Sequence, residues 1–120
     1  MAWKAIDLQE HICLAGTTTY TILQDEEDWP QIGDYRMAVL DFQVAGMRGC
    51  TLYVEGCEAQ DGVWTVVRAT PGGCFEQQFY LNRKAPQGSP DRLPRYLRWR
   101  LEADSIDWLA TFQLGLTLRD

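Results

Sequence analysis

The chain has 120 residues, 46% of them apolar, and a formal net charge of −6 at pH 7. That length gives one domain, residues 1–120, with room for a real core, and the acidic balance disfavours non-specific binding to nucleic acid or to an anionic membrane. No run approaches the roughly 18 apolar residues of a membrane span, and the opening residues Met1-Ala-Trp-Lys-Ala-Ile-Asp7 hold no apolar signal core, so synthesis in the cytoplasm is expected.

Residues 4–9 and 18–23 are the first two strand candidates. Ile6 and Leu8 equally suit a turn or two of helix over residues 3–11, and residues 1–10 can serve as an extended arm that adds a strand to a neighbour's sheet. An acidic loop at residues 24–34 follows, broken by Pro30 and Gly33. Tyr35 to Val44 is the next strand, Ala45 to Gly49 a turn, and Cys50 to Glu55 an alternating strand. Gln60-Asp-Gly62 is a hairpin signal, because Asp-Gly tolerates the positive φ of tight turns. Val63 to Ala69 and Cys74 to Leu81 are strands on either side of a hairpin turn at Pro71-Gly-Gly73, and the proline-rich loop from Asn82 to Pro94 comes next.

The C-terminal quarter carries the clearest pattern. In Arg95-Tyr-Leu-Arg-Trp-Arg-Leu-Glu-Ala103, Leu97, Trp99, Leu101 and Ala103 face one way and Tyr96, Arg98, Arg100 and Glu102 the other. From Trp108 to Arg119, Trp108, Ala110, Phe112, Leu114, Leu116 and Leu118 alternate with polar residues in the same way. Period two means a strand with one buried and one wet face, and the short Asp-Ser-Ile-Asp link between the runs suggests a hairpin. About eight strands at this spacing predict an all-β antiparallel β-sandwich, an eight-stranded jelly roll, with an immunoglobulin-like sandwich as the alternative.

Catalytic and metal chemistry find little footing. Ser89 and Ser105 are the only serines and neither sits in a nucleophile elbow. His11 and Cys13 share a strand face, but no third group is placed to orient them. Cys13, Cys50, Cys57 and Cys74 are spaced 37, 7 and 17 apart, without the paired close ligands of a zinc site, so reduced thiols are expected. The run Asp25-Glu-Glu-Asp28 lacks the spaced pattern of a calcium loop and is expected to be a solvated loop. No enzyme activity, cofactor or metal is expected.

Charge is unevenly distributed. Residues 82–100 hold Arg83, Lys84, Arg92, Arg95, Arg98 and Arg100 against Asp91 alone, whereas residues 24–34 hold Asp25, Glu26, Glu27, Asp28 and Asp34 and no base. The two segments are candidates to pair between subunits. Arg98 and Arg100 beside Tyr96 form an arginine–aromatic face of the type enriched in interfaces, or an outer face of cross-strand Arg–Glu pairs. Trp99 and Trp108 lie on apolar faces and belong to the core, while Trp29, in a loop before Pro30, is a candidate contact for a protein neighbour or a sugar ring.

Gly33-Asp-Tyr35, Asp61-Gly-Val-Trp-Thr65, Pro94-Arg-Tyr-Leu-Arg-Trp-Arg-Leu101 and Ala110-Thr-Phe-Gln-Leu114, in that order, resemble the small jelly-roll or β-sandwich proteins of tailed phages and phage-like particles. They resemble more loosely the galactose-binding, discoidin-like sandwiches. The resemblance implies a non-enzymatic structural or decoration subunit of a capsid or tail-like particle, located in a virion or phage-like particle and contacting other protein subunits, copies of itself or a particle scaffold. The looser one implies a glycan-binding module.

Overall fold

In a computed structural model of the chain, residues 3–17, 19–30, 32–59, 62–70 and 75–120 are described. They form eight strands: β1 (Trp3–Gly16), β2 (Tyr20–Leu23), β3 (Met37–Arg48), β4 (Cys50–Cys57), β5 (Thr65–Thr70), β6 (Phe75–Asn82), β7 (Tyr96–Ala103) and β8 (Trp108–Arg119). The strands lie in two antiparallel four-stranded sheets, A in the order β1-β8-β3-β6 and B in the order β2-β7-β4-β5. The first half of the chain pairs with the second in reverse order, β4 with β5, β3 with β6, β2 with β7 and β1 with β8. Pairs β3–β8 and β4–β7 close the sheets. This is one long hairpin folded over on itself, the jelly-roll arrangement, and the immunoglobulin-like alternative is set aside.

Alternation builds the core. The inward residues of β8 and β7 (Trp108, Ala110, Phe112, Leu114, Leu116 and Leu118, with Leu97, Trp99 and Leu101) are all buried. They meet Leu40, Phe42 and Val44 of β3 and Leu52 and Val54 of β4. Trp99 and Phe112 touch edge-on across the two sheets with centroids 5.3 Å apart, a favoured aromatic geometry.

That contact corrects the hairpin expected from the short link at residues 104–107. β7 and β8 belong to opposite sheets and face one another across the core. Period two fixes which face of a strand is apolar but not which strand lies beside it, and sheets about 10 Å apart are within reach of a four-residue link. Likewise β5 and β6 lie in opposite sheets and do not pair as a hairpin, and the turn expected at residues 71–73 falls outside the described residues. The β4–β5 hairpin is present, with residues 60 and 61 of its signal outside the described set.

Two further expectations change. β3 does not turn at residue 45 but runs on to Arg48, taking up the extra residue as a register shift between Val44 and Gly46. The turn is Gly49 alone, at φ +69°, where a Cβ would lie 2.7 Å from Cβ of Ser105 in the β7–β8 link. Residues 3–16 form neither a helix nor a free arm: β1 pairs with β8 from Trp3↔Arg119 to Gly16↔Trp108, with register shifts on either side of Gln9. No helix among the described residues is long and apolar enough to cross a membrane.

Candidate functional site

Described residues of the long connections after β2, β4 and β6 meet one another: Arg83 bonds Ile32 and Tyr35, Arg92 bonds Glu58, and Trp29 and Trp64 lie against Arg98 on the outer face of sheet B. The residues singled out by charge and aromaticity meet there. Arg83 pins the end together: its Nε donates to the Tyr35 carbonyl at 3.1 Å, Nη1 to Leu93 at 2.8 Å, and Nη2 to Ile32 at 2.7 Å and Tyr35 at 3.0 Å. Carbonyls that strand ladders would otherwise satisfy thus find donors in one guanidinium. Burial lowers the Arg83 pKa from its usual value, with the Glu58 charge acting against that shift. Arg92 does similar work, donating to the Arg83 carbonyl at 2.6 Å and the Ala85 carbonyl at 2.9 Å while ion-paired to Glu58 at 2.8 Å.

On the outer face of sheet B, the Glu55 carboxylate on β4 lies between Arg98 at 3.1 Å and Arg100 at 3.0 Å on β7. The Glu55 side chain is only 8% exposed, unusual for a carboxylate on an outer face. Arg98 extends over the Trp64 ring at 4.1 Å and the Trp29 ring at 6.0 Å, and the two tryptophans meet edge-on at 4.7 Å. Arg100 covers Tyr53 at 4.1 Å and reaches Glu102 at 2.6 Å. Partial burial opposes the Arg100 charge, but its hydrogen bonds and charge pairing with Glu102 and Glu55 more than offset this and raise its pKa. The cross-strand Arg–Glu pairs lie under an aromatic roof donated by the loops.

Trp29 is therefore held in place. Besides its ring contacts, its Nε1 donates to the Gln24 carbonyl at 3.3 Å. Glu26–Asp28 form a short 3-10 turn with Asp25 at its N-cap, and all four residues are exposed. Among the described residues no group of three or more His, Cys, Asp or Glu side chains comes together in a way that could hold a metal ion. Of the six bases in the basic segment, Arg83, Arg92, Arg98 and Arg100 bond acceptors of their own chain, while Lys84 and Arg95 are exposed. Electrostatic pairing with a neighbour's acidic loop would rest on those last two.

Sequence reasoning missed the linchpin Gln24. It is 5% exposed and donates from Nε2 to the Leu8 carbonyl of β1 at 2.7 Å, and its Oε1 accepts the Trp99 backbone N–H of β7 at 3.2 Å. One side-chain amide thus bridges the two sheets where β1 and β2 leave the sandwich open. Glu55 was missed as well: the alternation of β4 gives its face, but nothing in the sequence signals the loop that covers it. Beside β5, a groove of about 430 Å³ is lined by Cys57, Val63, Val66, Val67, Arg92 and Pro94, with Val63 84% exposed. Cys13, Cys50 and Cys57 are free thiols, and Cys74 lies outside the described residues.

Fold and surface define an eight-stranded jelly-roll sandwich in which Arg83, Arg92, Arg98 and Arg100 bond acceptors of their own chain. Two solved structures are similar to it: a chain of the T13 viral particle of IBDV, at 15% identity and TM-score 0.46, and a chain of the infectious bursal disease virus Gx strain, at 15% identity and TM-score 0.44. Each comparison covers 98% of this chain and 31% and 33% of the respective viral chains, so the protein spans about a third of their length. No family model matches the chain, and no curated protein matches its sequence.

Proposed function

We propose that this chain is a non-enzymatic structural or decoration subunit of a larger protein assembly, a capsid or tail-like particle of viral or phage-derived kind. The observation that carries this reading is where the polar chemistry goes. Arg83, Arg92, Arg98 and Arg100 are all turned onto acceptors of their own chain, and they tie the loop connections and sheet B together. A catalytic or ligand-binding end would instead keep such groups unpaired and aimed at a cavity. Jelly rolls serve in viral capsids, in lectins and in cupins, and this likeness of architecture is an analogy of fold. A cupin reading would call for a metal-ligand cluster, and a lectin reading for an aromatic face open to a sugar, whereas the Trp29 and Trp64 rings pack edge-on against each other and Arg98 lies over Trp64.

The partners in this reading are other protein subunits, and the place is a particle. The test is amine-reactive cross-linking in a gentle lysate of the source, with the cross-links from Lys4 and Lys84, the only two lysines, identified by mass spectrometry. A subunit gives recurrent links to one small set of proteins or to another copy of itself. A scatter of links that follows protein abundance contradicts the reading.

A further inference from the structure

Four strands form sheet edges, and among them β6 carries the fewest of the devices that keep an edge from pairing. β1 is broken by two register shifts and carries Lys4, Asp7, Glu10 and His11. β2 is four residues long. β5 is six residues long, carries Arg68, and pairs with β4 across a register shift. β6 runs for eight residues in unbroken register with β3, from Met37↔Asn82 to Val44↔Phe75, and holds no Pro, Lys or Arg. Its Tyr80 is 69% exposed.

The hydrogen-bonding sense of this edge is fixed at its C-terminal end. The Asn82 N–H donates to the Asp91 carbonyl at 2.8 Å, and the Asn82 carbonyl accepts the Leu93 N–H at 3.0 Å. Both backbone groups of Asn82 therefore point away from β3, whereas the next N–H, that of Arg83, donates to the Arg36 carbonyl ahead of β3 at 2.8 Å. Along an antiparallel strand this direction alternates residue by residue. The N–H and C=O groups of Tyr80, Gln78 and Glu76 hence also point outward, and among the described residues no backbone group pairs with them.

We propose that β6 is a dimerisation edge: two copies of the chain pair β6 with β6, antiparallel, about a two-fold axis through Gln78, and join their A sheets into one. This register sets Gln78 opposite Gln78 and Glu76 opposite Tyr80 on each side of the axis. All three pairings use outward-pointing backbone groups, so they form the closely hydrogen-bonded pairs of an antiparallel ladder. The Glu76 carboxylate faces a Tyr80 hydroxyl that can donate to it, and the two Gln78 amides each offer a donor and an acceptor. Other registers are poorer. Centring on Phe79 brings in Asn82, whose groups are already bonded. Centring on Glu76 sets two carboxylates face to face, and centring on Gln77 carries Tyr80 past the start of the partner strand. A two-fold contact of one patch with itself is the commonest form of homo-oligomer, and main-chain bonds supply the affinity of strand addition.

The pairing stands apart from the particle reading, since it needs no other subunit and either can fail alone. It is tested by sedimentation equilibrium of the purified chain over a range of concentrations. The wild type dimerises. Gln78→Pro removes only an outward N–H and spares the β3 ladder, so it retains its circular dichroism spectrum while the dimer weakens roughly tenfold or more. Separately, opposed Gln78 Cα atoms would lie about 5.5 Å apart, within disulfide range. In a Cys13→Ser, Cys74→Ser background, Gln78→Cys therefore forms an interchain disulfide under mild oxidation, and Gln43→Cys, exposed on β3, does not. A chain that stays monomeric at every concentration overturns the proposal. So does a dimer indifferent to Gln78→Pro, or a failure of Gln78→Cys to cross-link, which decides the matter even if the proline variant does not fold.

Discussion

The Arg98 guanidinium lies 4.1 Å from the centre of the Trp64 ring, and its Nε and Nη2 bond the nearly buried Glu55 carboxylate at 3.1 Å. A loop tryptophan is thereby tied to the middle of a sheet through one charge. Glu55 is the shared anchor, because Arg100 bonds its second oxygen. Removing the anion takes the carboxylate from the partly buried Arg98 and leaves Arg100 with Glu102 alone. Glu55→Ala should destabilise the fold by about 3 kcal/mol and loosen the Trp29–Trp64 roof. Urea unfolding followed by tryptophan fluorescence checks this, and a change within about 0.5 kcal/mol, the range of ordinary surface substitutions, would rule out an anchoring role.

Gln24 makes the corresponding test at the open side of the sandwich. Gln24→Ala strands the Leu8 carbonyl and the Trp99 N–H, both bonded by its amide. Orphaned buried backbone groups make the cost about 2–3 kcal/mol. Amide hydrogen exchange at Trp99 should accelerate more than exchange at Leu114, deep in β8, which reports global opening.

Two glycines with positive φ separate conformational strain from collision. Gly49 (φ +69°) and Gly88 (φ +87°) both disfavour a side chain, but a Cβ at Gly49 would meet Ser105 at 2.7 Å while none lies within 4 Å at Gly88. Gly88→Ala should cost about 1–2 kcal/mol, the left-handed penalty alone. Gly49→Ala should cost clearly more, because the β3–β4 turn and the β7–β8 link press together there. Equal losses of thermal stability would refute that packing.

The thiols give a prediction in pH. Burial, opposed by a backbone hydrogen bond at Arg48 and aided by the Asp104 charge, holds the Cys50 pKa above the ordinary thiol range. The folded state thus keeps its proton where the unfolded chain loses it. The resulting stability is complete below the unfolded thiol pKa of about 8.5 and falls as pH rises toward the folded value. Cys50→Ala should flatten that alkaline decline. In a Cys74→Ser chain, a thiol reagent at neutral pH should modify exposed Cys13 first and reach Cys50 and Cys57 only on unfolding.

Much of the fold was legible because alternation reports burial directly. β7 and β8 appear in the sequence almost residue for residue, as do the core positions of Trp99 and Trp108. Strand partners were not legible: the short links at Gly49 and residues 104–107 switch sheets, and a period-two pattern is the same for a neighbour and for a partner across the core. The bulged β1 hid its length, since register shifts around Gln9 interrupt its apolar phase. At the loop end, composition gathered the arginines into one segment but did not show their contacts. Charge in a sequence is counted as if solvated, and only the fold reveals that Arg83 and Arg92 face carbonyls of their own chain. Gln24 carried no signal, because a single glutamine after a short strand looks like any surface residue.

The central claim is that this sandwich is a part built into something larger. Sedimentation of the untagged protein from a gentle lysate of its source, with mass spectrometry across the gradient, tests it most directly. The account predicts that the chain travels in a megadalton particle together with a constant set of other proteins. Recovery of the whole pool as a free monomer or small oligomer would contradict it.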